Sequence, residues 1–119
     1  MPFTSSAFQI VMFATLKNWV LAASPNASLL DDVGNVVKSF TLTSDMVSFY
    51  QSGATVIFRI YITDESNESY SFRRVQIFGQ NPEGGSPITV IDHVLDQTYT
   101  KTADKTLEVY IYTGVQDVV

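Results

Sequence analysis

The longest apolar segment of the chain, residues 7–23, sets the strongest limit on the fold. It reads AFQIVMFATLKNWVLAA and carries strongly polar side chains only at Gln9, Lys17 and Asn18. A membrane-spanning helix needs about 20 apolar residues, and a charge near its centre costs about 2.5–3.5 kcal/mol on insertion scales. A secretory signal begins with basic residues, but residues 1–9 contain no Lys or Arg. We therefore favour a helix in a soluble protein over a membrane span, a signal or a buried strand.

The predicted helix over residues 5–23 carries more apolar surface than one face of a small sheet can cover. Ser or Thr residues at its start can cap it, and Pro25 follows its end. Gln9 is predicted to lie on its narrow polar side. Either the helix is sandwiched inside its own domain or its second side contacts another subunit, so we interpret it as a docking helix. The partner contacts predicted on it are Phe8, Met12, Phe13 and Trp19.

From residue 29 onward the pattern changes to short strands separated by turns. The clearest strand covers residues 54–63, where one face is uniformly apolar and the other carries Ile57, Arg59, Tyr61 and Thr63. Because both faces hold large side chains, we expect a central strand that is covered on both sides. The other strands are predicted on either side of a turn at residues 31–35, then over 36–42, 46–50, 70–78, 88–95, 98–102 and 105–113.

The loops between these strands carry their own signals. Residues 64–69 are polar and are interpreted as a hairpin loop, and residues 80–87, QNPEGGSP, form the strongest loop signal. The chain has 119 residues, the size of one domain. Short strands with frequent turns predict a mainly β fold, an antiparallel β-sandwich with one N-terminal α-helix. We expect a single domain over residues 1–119, with the sandwich over residues 29–113.

Composition excludes several classes of function. The formal net charge is -5, which is unlike a nucleic-acid-binding protein, so no nucleic-acid partner is expected. The absence of cysteine removes disulfides, thiolate metal sites and a cysteine nucleophile. Only 16% of residues are charged, and a surface poor in charge costs less to desolvate against a partner.

The single histidine, His93, is the first candidate for chemistry, since it lies between Asp92 and Asp96. Neighbouring side chains of a strand point to opposite faces, so both carboxylates would diverge from the imidazole. Residues 64–68 offer oxygen ligands at alternate positions but lack the central glycine of a calcium loop. No G-x-S-x-G elbow or phosphate-binding glycine loop is present. We expect no catalytic residues, no bound metal and no cofactor.

Arg73 and Arg74 form the only basic doublet. One interpretation is a pair of arginines, one exposed and one half-buried, that bind nearby acidic residues. The other is an interface anchor, because arginine is enriched at binding hot spots. Both residues are therefore included among the predicted partner contacts.

Three segments of the C-terminal half carry a resemblance to a known class of protein. They are the alternating strand ATVIFRIYIT after Gly53, the strand SFRRVQIFG at residues 71–79, and TKTADKTLEV at residues 100–109 after a glycine-rich loop. Residues 53–113 thus resemble small β-rich tail or tail-fibre-associated structural proteins of bacteriophages and archaeal viruses. The resemblance implies a virion structural role, self-assembly and no enzymatic activity.

Two functions from different classes follow. The first is a homo-oligomeric tail, adaptor or appendage component of a virion, whose partners are copies of itself and other virion structural proteins. The alternative is a carbohydrate- or host-receptor-binding module, in which Tyr110 and Tyr112 stack on sugar rings. The alternative predicts that aromatic side chains cluster at one exposed loop end.

Overall fold

A computed structural model describes residues 5–53 and 55–114. One helix is followed by seven strands, and a short 3-10 helix precedes the third strand. In chain order they are α1 (Ser5–Ala22), β1 (Ala27–Leu30), β2 (Val36–Phe40), the 3-10 helix (Ser44–Met46), β3 (Val47–Ser52), β4 (Thr55–Asp64), β5 (Tyr70–Gly79), β6 (Ile88–Lys101) and β7 (Leu107–Gly114). The predicted first residue of β4, Ala54, lies outside the described residues.

The strands form two antiparallel sheets. Sheet A has the order β2-β1-β5-β6 and sheet B the order β3-β4-β7. Side chains of both sheets and of α1 join in one hydrophobic core, so the predicted mainly β sandwich with an N-terminal helix is confirmed. The core residues are Phe13, Val20, Ala27, Leu29, Leu42, Val47, Val56, Phe58, Ile60, Ile62, Phe72, Val75 and Ile77.

Strand β4 occupies the centre of sheet B, as its alternation predicts. Its even-numbered apolar residues from Val56 to Ile62 are fully buried. The opposite face, with Arg59 and Tyr61, is only half-buried, so the prediction that both faces are covered is wrong. The large side chains there contact neighbouring strands of the same sheet, as the stacked rings of Tyr61 and Tyr110 show.

Three details of the strand prediction are wrong because they depend on which strands pair with each other and in what register. Residues 64–69 do not form a hairpin, since β4 belongs to sheet B and β5 to sheet A. The two strands predicted over residues 88–102 form the single strand β6, whose register with β5 shifts near Arg73. The same shift buries Phe72 together with Val75, although strict alternation places them on opposite faces.

The orientation of α1 differs from the prediction. Gln9 faces the core, where it is 2% exposed and its side-chain oxygen accepts a hydrogen bond from Val56 N at 3.1 Å. Phe13 and Val20 continue this buried face at helical spacing. The polar side chain points inward because it satisfies a buried backbone donor at the start of β4. A row of apolar side chains is consequently left on the outer face of the helix.

Asn26 connects the end of α1 to Leu42, which follows β2, and to Phe78 on β5. Its amide nitrogen donates to Val20 O at 3.1 Å and to Leu42 O at 3.2 Å, and its side-chain oxygen accepts from Leu42 N at 2.6 Å. Asn26 is fully buried, and its backbone oxygen accepts a hydrogen bond from Phe78 N at 2.9 Å. The end of the helix is thereby fixed against sheet A.

Candidate interaction surfaces

The outer face of α1 carries an apolar surface that we call the helix stripe. Phe8 is 59% exposed and Val11 is 62% exposed. These side chains line an open, mostly apolar cavity of about 360 Å³. The residues of the helix stripe are Phe8, Val11, Met12, Thr15, Leu16 and Trp19. None of them carries a charge.

The four partner contacts predicted on the helix divide between this stripe and the core. Phe8, Met12 and Trp19 line the stripe. Phe13 is only 3% exposed and packs against Phe58 with ring centroids 5.3 Å apart, so its prediction as a partner contact is wrong. The reason is the rotation of the helix: burying Gln9 brings the side chain four residues later into the core as well.

Trp19 also anchors the stripe to sheet A. Its backbone oxygen accepts a hydrogen bond from Gln80 N at 2.8 Å. A Cβ added at Gly79 would lie 3.3 Å from Trp19 Cβ, so the absence of a side chain on β5 lets the helix approach closely. The position of the stripe relative to the sandwich is therefore fixed by close packing.

Arg73 and Arg74 lie away from the helix, on β5 of sheet A. The Arg74 guanidinium forms a bidentate ion pair with the Asp92 carboxylate, with Nε donating to Oδ1 at 2.6 Å. The hydrogen bond from Arg74 lowers the pKa of Asp92, and the same bond raises the pKa of Arg74. Arg73 donates from Nε to Leu95 O at 3.4 Å. The ion pair occupies Arg74, and neither arginine lies in the helix stripe.

The two arginines line a cavity of about 270 Å³ together with the turn between β1 and β2. Asp31 in that turn accepts hydrogen bonds from Val33 N at 3.1 Å and Asn35 N at 2.8 Å. Its carboxylate thus satisfies local backbone donors, as expected of an aspartate in a turn. Cavity walls that carry both signs of charge do not define one class of ligand.

The loop considered as a calcium site holds an internal cation instead. Lys101 is 3% exposed, and its ammonium donates to Ser66 O at 2.6 Å and Glu68 O at 2.8 Å. The Asp64 carboxylate accepts from Tyr70 Oη at 2.7 Å and Ser66 N at 2.9 Å. Burial alone would raise the pKa of Asp64, but the hydrogen bonds from Tyr70 and Ser66 lower it to about 2. These oxygens stabilise the loop.

His93 does not meet the neighbouring carboxylates in the way a metal site requires. It pairs with Val75 in the register of β5 and β6, whereas Asp92 pairs with Gln76 and points to the other face. Within residues 5–53 and 55–114, no group of three or more His, Asp or Glu side chains is arranged to hold a metal ion.

A second exposed surface lies on the outer face of sheet B, and we call it the tyrosine face. It consists of Arg59, Tyr61, Tyr110 and Tyr112. The ring centroids of Tyr61 and Tyr110 are 4.8 Å apart, and those of Tyr110 and Tyr112 are 6.4 Å apart. Tyr110 and Tyr112 are 50% and 56% exposed. The aromatic side chains therefore cluster on a sheet face and not at the loop end that the carbohydrate-binding alternative predicts.

Sequence reasoning named Tyr110 and Tyr112 but missed their neighbours on β4. The register of β4 and β7 pairs Tyr61 with Tyr110 and Arg59 with Tyr112. The alternation of β4 already places Arg59 and Tyr61 on one face. Only the pairing of strands distant in the sequence joins them to the tyrosines of β7.

Comparison with protein-family models, curated proteins and solved structures finds no match to this chain. Among the helices that the structure describes, none is long and apolar enough to cross a membrane. The features of the chain that bear on function are the two exposed surfaces and the resemblance carried by residues 53–113.

Proposed function

We propose that the chain is a virion structural protein, a tail, adaptor or appendage component that forms homo-oligomers through its helix stripe. The observation that carries this proposal is the exposed outer face of α1, where Phe8 and Val11 are more than half exposed. Large apolar side chains grouped on one face are typical of protein-interaction sites. The virion setting is supported by the resemblance of residues 53–113 to viral tail proteins.

The occupant that we propose for the stripe is the stripe of a second copy. All six of its residues are uncharged, so two identical surfaces meet without like-charge repulsion although each chain has a net charge of -5. A two-fold contact uses the same patch on both subunits, which requires this kind of self-complementary surface. From Phe8 to Trp19 the stripe is about 17 Å long at 1.5 Å per residue.

The helix stripe is smaller than a stable protein interface, so further contacts must add to the buried area. An exposed Phe contributes on the order of 100 Å², and the whole stripe therefore amounts to a few hundred Å², typical of one surface patch. Stable interfaces bury about 800 Å² per partner. We infer that the β-sandwich faces supply the remaining area when subunits assemble with each other and with other virion proteins.

The experiment is sedimentation velocity of the wild-type chain and two matched variants over a wide concentration range. Val11→Glu places a charge in the stripe, and Val33→Glu places the same charge on an exposed valine in the turn between β1 and β2. We expect the wild type and Val33→Glu to self-associate and Val11→Glu to weaken association at least about tenfold, since a buried unpaired charge opposes binding. A wild-type chain that stays monomeric at the highest concentration would contradict the proposal.

The virion setting has a separate test. Mass spectrometry of purified particles of the virus that encodes the chain is expected to find it in many copies per particle. Its absence from those particles would contradict the virion role even if the chain self-associates.

A further inference from the structure

Arg59, on the central strand of sheet B, carries a buried polar atom that has no partner within the described residues. Arg59 forms no ion pair or hydrogen bond with them, and its Nε is buried without an acceptor. By contrast, Arg74 is paired with Asp92. A buried donor of a charged group that lacks an acceptor is uncommon and unfavourable, so it requires an explanation. Protein atoms enclose Nε, so a ligand can meet only the two terminal nitrogens of the guanidinium, which also have no acceptor among the described residues.

The surroundings of Arg59 limit the chemistry of that ligand. Arg59 pairs with Tyr112 on β7 and with Ser48 on β3, and Tyr61 lies two residues along the same face. The surface therefore combines one cation with tyrosine rings and hydroxyl groups, and its one acidic side chain, Glu108, is bonded to Tyr61 at the opposite end from Tyr112. A ligand that fits has an acidic group, an apolar ring face and several hydroxyls.

We propose that the tyrosine face binds a glycan through a sugar residue that carries a carboxylate. The carboxylate accepts hydrogen bonds from the Arg59 guanidinium, whose planar array of donors matches two carboxylate oxygens. The C–H face of the sugar ring packs on Tyr112, and hydroxyls of the sugar meet the hydroxyls of Tyr61 and Ser48. This inference does not rest on assembly through the helix stripe.

The charge distribution along β7 allows a carboxylate at this position. The nearest acidic residue on the same face of β7 is Glu108, which accepts a hydrogen bond from Tyr61 Oη at 3.3 Å. Glu108 precedes Tyr112 by four residues, or about 13 Å along a strand. Its hydrogen-bond partner Tyr61, however, lies only two residues from Arg59, or about 7 Å along a strand, so the carboxylate of a ligand fits at the Tyr112 side of Arg59, away from Glu108.

Two other ligand classes fit this face less well. Polyanions such as nucleic acids require several cations, whereas Arg59 is the only Lys or Arg among the described outward-facing residues of β3, β4 and β7. An acidic peptide in extended form binds by adding to the edge of a sheet, but Arg59 lies on the central strand. A single carboxylate on a ring-shaped, hydroxyl-rich ligand matches the site best.

The test is a titration of the ¹⁵N-labelled full chain, monitored by NMR, with a short galactose oligosaccharide that ends in one galacturonate residue and with the neutral galactose oligomer of equal length. We expect the uronate to shift amide signals of β4 and β7 in a saturable manner and to bind about tenfold or more tightly than the neutral sugar. Raising the salt concentration is expected to weaken uronate binding. An acidic peptide of equal charge is titrated in parallel.

Two variants with the same change in net charge distinguish binding at Arg59 from non-specific electrostatic attraction. Arg59→Gln is expected to weaken uronate binding about ten- to a hundredfold, whereas Lys105→Gln, on the exposed loop before β7, leaves it unchanged. Tyr112→Ala is expected to weaken binding, while its amide spectrum shows that the variant remains folded. Absence of saturable shifts, equal binding of the neutral sugar, tighter binding of the acidic peptide, or an equal loss in both charge variants would each overturn the proposal.

Discussion

Replacing Asn26 with Ala tests how the helix is held on the sandwich. The substitution removes three hydrogen bonds that the side chain forms with Val20 O, Leu42 O and Leu42 N. Val20 O retains the hydrogen bond from Ala23 N at 3.2 Å, so only the two backbone groups of Leu42 lose their partner. Leu42 is 4% exposed, which keeps water from replacing the lost bonds.

The expected loss follows from these two groups. Each buried backbone group left without a partner costs about 1–3 kcal/mol, so we expect Asn26→Ala to lower the free energy of unfolding by about 3 kcal/mol. That is a large fraction of the 5–15 kcal/mol typical of a domain. With an unfolding entropy of about 2.1 cal/mol/K per residue, the midpoint of thermal unfolding falls by roughly 12 °C.

The assay is urea and thermal unfolding followed by circular dichroism. Asn67→Ala provides the matched control, because Asn67 is exposed in the loop between β4 and β5. We expect the control to stay within about 0.5 kcal/mol of the wild type. The reasoning would be refuted if Asn26→Ala were as stable as the control.

Three further perturbations test other contacts. The pKa of Asp64 is lowered to about 2, so its carboxylate stabilises the fold above roughly pH 4. This contribution of about 2 kcal/mol is lost as the pH falls toward 2. The stability of Asp64→Asn should not show this pH-dependent loss in acid unfolding. Lys101→Met removes a buried ammonium from its backbone acceptors and should cost about 3 kcal/mol in urea unfolding, whereas Lys105→Met should cost almost nothing. Gly79→Ala should lower the thermal midpoint by an amount equivalent to about 1–2 kcal/mol, because the added methyl group lies 3.1 Å from Val90 Cγ2 and 3.3 Å from Trp19 Cβ; an unchanged midpoint would contradict the close packing of α1 and β6 around Gly79.

The sequence predicts most of the fold because its strong signals are local. The alternation of β4, the glycine-rich loop at residues 80–87 and the apolar run of α1 each identify an element without knowledge of its neighbours. The confirmed strands differ from the predicted ones mainly at their ends. The bounds of α1 are Ser5–Ala22 against the predicted 5–23.

Errors arise where an outcome depends on contacts distant in the sequence. Gln9 looks like a surface residue by its type, but the free N–H group of Val56, 47 residues later, holds it inside. The loop after Asp64 has the composition of a hairpin, yet nothing in its residues tells that β4 and β5 enter different sheets. Burial of Phe72 likewise depends on a register shift against β6.

The sequence predicts the candidate surfaces only in part, for the same reason. The sequence shows that α1 carries excess apolar surface. Which of its residues face outward depends on the inward position of Gln9. The same orientation places Phe13 in the core. Arg59 and Tyr61 become neighbours of the tyrosines of β7 only through strand pairing.

The most direct measurement of contact between copies through the helix stripe is disulfide trapping, because the chain contains no cysteine of its own. Val11→Cys places one thiol in the stripe, where Val11 is 62% exposed, and Val33→Cys places one outside it at a residue that is 76% exposed. Under mild oxidation at high protein concentration, we predict rapid covalent dimers of Val11→Cys and slow, concentration-driven dimers of Val33→Cys. Equal dimer yields from the two variants would contradict pairing of the helices.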